Sequence, residues 1–221
     1  LRGLVHSFAG IVGWVILHFL GASLETIGII LLGAGTVLFL GDRYRVWLSQ
    51  NDNRATELLR RANRWVAKYW FRDTEARRPA NVVASLAGFG TAWFICWTAS
   101  APWIAAACCL LFSLVDPVAK LGRYWPIKRI DAGWGRGKSW GGMLYGGLAG
   151  TAGCASIIIA HLIIQPFFPS GLELWQVAVI YLAGVLTASV AELVGGKVDN
   201  FLIPAASSLV MVLSYAIARI L

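Results

Sequence analysis

Residues 102–115 read PWIAAACCLLFSLV, and residues 116–129 read DPVAKLGRYWPIKR. The first stretch has no charge and the second has four cations and one carboxylate. An uncharged run followed at once by a basic one is how a chain leaves hydrocarbon and enters the headgroup layer. The same alternation recurs along all 221 residues, of which 58% are hydrophobic and 14% charged. A soluble domain carries about 25% charged residues. With a mean hydropathy of +0.68, this chain has too little polar surface to face water on all sides. The reading is an all-α, polytopic membrane helix bundle forming a single embedded domain over residues 1–221.

Working outward, seven apolar runs are long enough to consider as spans: Leu4–Gly21, Thr26–Gly41, Asn81–Thr98, Pro102–Val115, Trp140–Ile164, Leu174–Leu193 and Pro204–Leu221. A spanning helix needs about 20 residues, so the second and fourth are short; they are expected to extend into their polar flanks, with the fourth tucked inside the bundle as the alternative. Arg2 precedes the first run in the charge order of a signal peptide. No A-x-A-like cleavage site follows, so a retained helix is expected. Seven crossings put 18 of the 19 basic residues on one side, with Arg219 the exception, while the opposite loops hold only Glu25 and Glu173. One span more or fewer would scatter these charges. The positive-inside rule then makes the N-terminus and the basic loops cytoplasmic. The net charge of +8 is therefore a topological signal, and nucleic acid is not an expected partner.

In the long loop 42–80, Glu57, Arg61, Arg64 and Lys68 recur at helical spacing, with Leu58, Ala62, Trp65 and Tyr69 opposite. This pattern predicts an amphipathic helix lying at the cytoplasmic interface. Cys96, Cys108, Cys109 and Cys154 all sit inside apolar runs without paired spacing, as small packing residues do. The glycines of residues 141–153 suit close helix approach in lipid, and Gly141 and Gly142, at the cytoplasmic end, also leave room for a phosphate. His18 and His161 fall towards the opposite side, where packing is their expected role.

Chemistry concentrates in two cytoplasmic loop regions, 116–139 and 192–203. Asp116 ends an apolar run, and an ionisable group at that depth is costly and usually functional; a loop cation pairing with a surface carboxylate is the plainer alternative. Gly133-Trp134-Gly135-Arg136-Gly137-Lys138-Ser139 nearly matches a P-loop, but the first glycine would fall on Ala132 and no strand precedes it. Its physics survives: glycines, Lys138 and Ser139 at a helix start offer charge and free N–H groups to phosphate. Glu192 ends the sixth run, and Asp199-Asn200 precede Pro204, which disfavours helix at Ile203. Residues 199–203 are thus expected to be non-helical at the membrane edge, with capping of the last helix as the alternative for Asp199 and Asn200. Carboxylates can hold Mg²⁺ together with substrate phosphates, and the cations can stabilise charge in transit.

Taken in order, Asp116-Pro117-x-Ala119 with Gly122-Arg123, Lys138-Ser139-Trp140-x-Gly142, and Glu192 followed by Asp199-Asn200-x-x-x-Pro204 resemble the dolichol kinase, phytol kinase and yeast-type diacylglycerol kinase family. Leu1-Arg2-Gly3-Leu4-Val5-His6 resembles the basic, His-bearing opening of that family, and Arg72-Asp73-Thr74-Glu75 its basic–acidic stretch before the third span. Gly3, Lys120, Trp134 and Trp140 depart from the pattern. The resemblance implies a CTP-dependent kinase acting on a polyprenol, dolichol, phytol-like alcohol or diacylglycerol. It implies catalytic roles for Asp116, Glu192, Asp199 and Lys138, with the three carboxylates also as Mg²⁺ ligands. Nucleotide contacts would come from Lys120, Gly122, Arg123, Lys128, Gly137, Ser139, Gly142 and Asn200, and further family positions are His6, Arg72 and Glu75. CTP:phosphatidate cytidylyltransferases are the alternative class, but their long K-D…P-G-H-G-G…D-R signature has no counterpart between Glu192 and Asn200. A transporter or structural protein is the non-enzymatic alternative.

Overall fold

In the computed structural model the described residues are 81–125, 127–129, 138–163, 169, 171–196 and 198–220, with scattered positions before them at 26, 37, 40–44, 46, 47, 57, 61 and 65. The first two predicted spans fall largely outside these, as do His6, Arg72, Glu75 and Gly137. Of the predicted interfacial helix only Glu57, Arg61 and Trp65 are described; all three are helical and exposed, and Arg61 Nε donates to Glu57 Oε1 at 3.1 Å.

Five helices are traced in full among the described residues: α1 (Asn81–Thr98), α2 (Pro102–Ala119), α3 (Trp140–Ile163), α4 (Leu174–Gly195) and α5 (Asp199–Ala218). A 3₁₀ turn, Lys120–Arg123, continues α2. No extended strand occurs among the described residues, where only an isolated antiparallel bridge joins Arg129 and Ser139. Four segments, Pro102–Gly122, Trp140–Ile163, Leu174–Gly195 and Asp199–Ala218, are long and apolar enough to cross a bilayer. Their outer faces carry exposed Leu144, Leu148, Ile159, Leu182, Leu186, Leu209 and Leu213, as helices facing lipid do.

The helix ends follow from local chemistry. Pro102 sits in the first turn of α2, where its missing N–H goes unmissed. Glu173 and Gln176 form a capping box at the start of α4. Gly196, at φ +55°, ends α4 in a conformation that side chains resist, and Val198 N–H donates to Gly195 O at 2.9 Å to close the turn into α5. At this turn Glu192 and Asp199 are brought to the same end of the bundle. At the other end Trp103 packs edge-on against Tyr181 and Tyr215, and Gln176 Nε2 donates to Ala218 O.

One predicted boundary extends into its polar flank and another is corrected. Helix α2 does not stop at Val115: it runs through Asp116 and Pro117 to Ala119, burying Asp116 to 2% exposure. Residues 199–203 are helical, with Pro204 inside α5. The proline rule is overridden by packing. A Cβ on Gly88 of α1 would lie 2.7 Å from Phe201 O and from Pro204 Cγ, so α1 presses its backbone onto the proline turn and holds it. Gly88→Ala is expected to destabilise the fold by about 1–3 kcal/mol, since the nearest atoms include backbone that cannot swing aside. A lowered thermal midpoint in detergent checks this, with Gly90→Ala, which meets open space, as the control.

Candidate active site

The basic end of the bundle gathers groups from every helix but α1. Asp116 lies in the last turn of α2, and one turn later Lys120 Nζ reaches its Oδ2 at 2.6 Å. Glu192 lies three residues before the end of α4 and is 4% exposed; Asp199 opens α5. Lys138, in the chain just before α3, donates to Glu192 Oε1 at 2.5 Å and to Asp199 Oδ2 at 2.6 Å. One ammonium thus ties the approach to α3 to both α4 and α5. Burial works to lower the Lys138 pKa, but the Glu192 and Asp199 carboxylates outweigh it and hold the value above the ordinary lysine range. Lys138 therefore stays cationic at neutral pH and cannot serve as a base there.

Carboxylate oxygens of Asp116, Glu192 and Asp199 all lie within 4.8 Å of one another. Two lysines face these three acids, so acidic groups outnumber basic ones in the cluster by one. Glu192 Oε2 is buried and has no hydrogen-bond partner among the described residues. An unpaired carboxylate oxygen in such a place costs free energy, and it is the atom in the cluster best placed to take a proton or a cation.

Beside this cluster a cleft of about 280 Å³ is lined by Lys120, Gly122, Arg129, Lys138, Ser139, Gly142 and Glu192, with Ala119, Met143 and Leu193 as an apolar wall. Asp116 and Asp199 do not line it and meet it through their lysines. Close backbone contact shapes its floor. A Cβ on Gly122 would collide with the backbone of Gly142 and lie 2.5 Å from Ser139 Oγ, and one on Gly142 would lie 2.7 Å from Ala119 O. The two glycines thus let the end of α2 touch the start of α3.

Ser139 has a different role from the one its sequence suggests. Its hydroxyl donates to Gly122 O at 3.1 Å and accepts from Gly142 N–H at 3.0 Å, capping α3. Trp140 N–H donates to Lys128 O at 2.9 Å, and Met143 N–H to Ser139 O at 3.2 Å. Most of the helix-start amides expected to be free for phosphate are therefore occupied from within the chain.

The remaining predicted positions divide. Gly122 and Gly142 line the cleft. Arg123 closes the 3₁₀ turn. Lys128 is exposed and outside the cleft lining, whereas its neighbour Arg129 is in it. Asn200 is buried in the first turn of α5, its N–H donating to Asp199 Oδ1 at 2.8 Å, and does not reach the cleft. Arg129 was not singled out by sequence, because nothing in the pattern says which of two adjacent cations turns inward. The cysteines are free, and of these Cys96, Cys108 and Cys154 are buried in the apolar body, as expected of packing residues.

Comparison of the chain with protein-family models, with characterised proteins and with solved structures finds no match. What the site can do follows from its own geometry.

Proposed function

We propose that this protein is a membrane lipid-alcohol kinase that transfers the terminal phosphate of CTP to a polyprenol-like alcohol or diacylglycerol. The observation that carries the reading is the Lys138 bridge to Glu192 and Asp199, beside a cleft at the end of apolar helices. It sets fixed positive charge, a carboxylate with an unpartnered oxygen and an apolar wall within one opening. A water-soluble phosphate donor and a lipid acceptor would meet at such a boundary. The excess of basic residues at this end supports a cytoplasmic position under the positive-inside rule, where nucleoside triphosphates are found.

In this mechanism Lys138 and Lys120 stabilise the charge that develops on the transferring phosphoryl group. Glu192 Oε2 accepts the proton of the lipid hydroxyl as the hydroxyl oxygen bonds to the γ-phosphorus. The bond from that phosphorus to the bridging oxygen breaks, and CDP leaves. Met143 and Leu193 face the first carbons of the acceptor, whose chain continues among the lipid-facing helices. The donor set also fits a divalent cation: one carboxylate oxygen each from Asp116, Glu192 and Asp199 lie within 4.8 Å of one another, and the acids outnumber the lysines that face them. Asp116, Glu192 and Asp199 would hold Mg²⁺, which when bound neutralises donor phosphate charge.

CTP labelled at the γ-phosphorus, given to the purified protein with a panel of lipid alcohols, tests the proposal. Label is expected in a lipid monophosphate, with CDP released. Cytidine in the lipid with labelled pyrophosphate would instead identify a CDP-lipid synthase. No transfer with any acceptor would favour a non-enzymatic protein, although the charged groups at one end of the helices, away from the midplane where transporter sites usually lie, speak against a transporter.

A further inference from the structure

We propose that Arg129 grips the outermost phosphate of the donor nucleotide and sets the preference for a triphosphate over a diphosphate. The inference rests on the reading of the cleft as a nucleotide site and adds a residue that this reading did not supply. Three described cations line the cleft, and two already have acidic partners: Lys120 is held by Asp116, and Lys138 by Glu192 and Asp199. Arg129 makes no side-chain ion pair or hydrogen bond among the described residues and is exposed. It is the cleft cation that can take up an anion without first surrendering a carboxylate.

Its backbone is nonetheless fixed. Arg129 pairs with Ser139 in an antiparallel bridge, and the adjacent Lys128 O accepts the Trp140 N–H. The residue is thus anchored to the start of α3, and less freedom is lost when its side chain closes on a ligand. Successive side chains of extended chain point to opposite sides, so Arg129 turns towards the cleft while Lys128 turns away. A guanidinium is always charged and presents a planar fork that matches two phosphate oxygens. With the first amides of α3 spent on Ser139 and Lys128, that fork is the group left to recognise a terminal phosphate.

Calorimetric titration of the full chain in lipid nanodiscs with CTP and with CDP tests the assignment without depending on turnover. Arg129→Ala is expected to weaken CTP binding by about ten- to a hundredfold, the loss of a charged hydrogen-bonded contact, and CDP binding by less than about threefold. Arg129→Lys should recover only part of the CTP affinity, and Lys128→Ala should change neither ligand by more than about threefold. Equal losses for CTP and CDP, or an effect of Lys128→Ala as large as that of Arg129→Ala, would overturn the assignment. So would wild-type protein that binds no CTP. If wild-type protein binds CTP with this Arg129 dependence yet transfers no phosphate to any lipid alcohol, the kinase reading fails and Arg129 stands. If it transfers phosphate and Arg129→Ala leaves CTP affinity unchanged, the reverse holds. Arg129→Gln, which keeps a polar side chain of similar reach at this exposed position, separates loss of charge from loss of fold.

Discussion

A Glu192→Gln variant is expected to insert and bind CTP like the wild type while transferring phosphate about 10²–10⁴ times more slowly, the usual contribution of general base catalysis. The substitution is nearly isosteric. Its amide oxygen can still accept from Lys138 Nζ, now 2.5 Å from Glu192 Oε1, and Asp199 keeps the second contact. What is lost is the proton-accepting capacity of Oε2, the buried oxygen left without a partner. Single-turnover transfer from γ-labelled CTP isolates the chemical step from lipid exchange. Were Glu192 only an anchor for Lys138, the retained amide contact would keep the transfer rate within a few-fold of wild type, and the proposed base would have to be sought elsewhere.

Much of this site was readable in the sequence, and the reasons differ by residue. Asp116, Glu192 and Asp199 announce themselves because carboxylates at the ends of apolar runs are expensive unless something holds them. Gly195-Gly196 between Glu192 and Asp199 marks the turn that sets those two at one end. Lys138, which joins them, stands out in the sequence only for its place beside glycines and a helix start. Its separation from the acids, 54 and 61 positions along the chain, has no periodic signature, so the bridge emerges only when α3, α4 and α5 pack. Residues 199–203 were misread because the rule for the residue before proline is local, whereas the contact of Gly88 with Phe201 and Pro204 is not. The amides at the start of α3 looked free for a related reason: the carbonyl that takes the Trp140 N–H belongs to Lys128, across a loop. All-helical architecture and apolar spans, in contrast, follow from composition over windows long enough to average such effects away. His6, Arg72, Glu75 and Gly137 lie outside the described residues.

Lys138→Met is expected to damage both activity and stability, and the two effects can be separated. Removing a charge that stabilises the transition state costs about 10²–10³ in rate. Removing the cation from a buried cluster costs about 3–5 kcal/mol of stability, because the Glu192 and Asp199 side chains are only 5% and 13% exposed and would be left facing each other. Neutralising an acid should reverse the second loss but not the first. The double variant Lys138→Met/Glu192→Gln is therefore expected to regain much of the thermal midpoint while remaining inactive. A membrane anchor would behave otherwise: activity in detergent would stay near wild type, and the double variant would be no more stable than the single. The pH dependence supplies an independent check. Since the Lys138 pKa is raised in the folded protein, its stabilisation is complete below the unfolded lysine value of about 10.4 and is lost as pH climbs through the higher folded value. The wild-type midpoint should therefore fall more steeply than that of Lys138→Met in that alkaline window. An equal fall in both proteins would mean that Lys138 does not hold the three helices together.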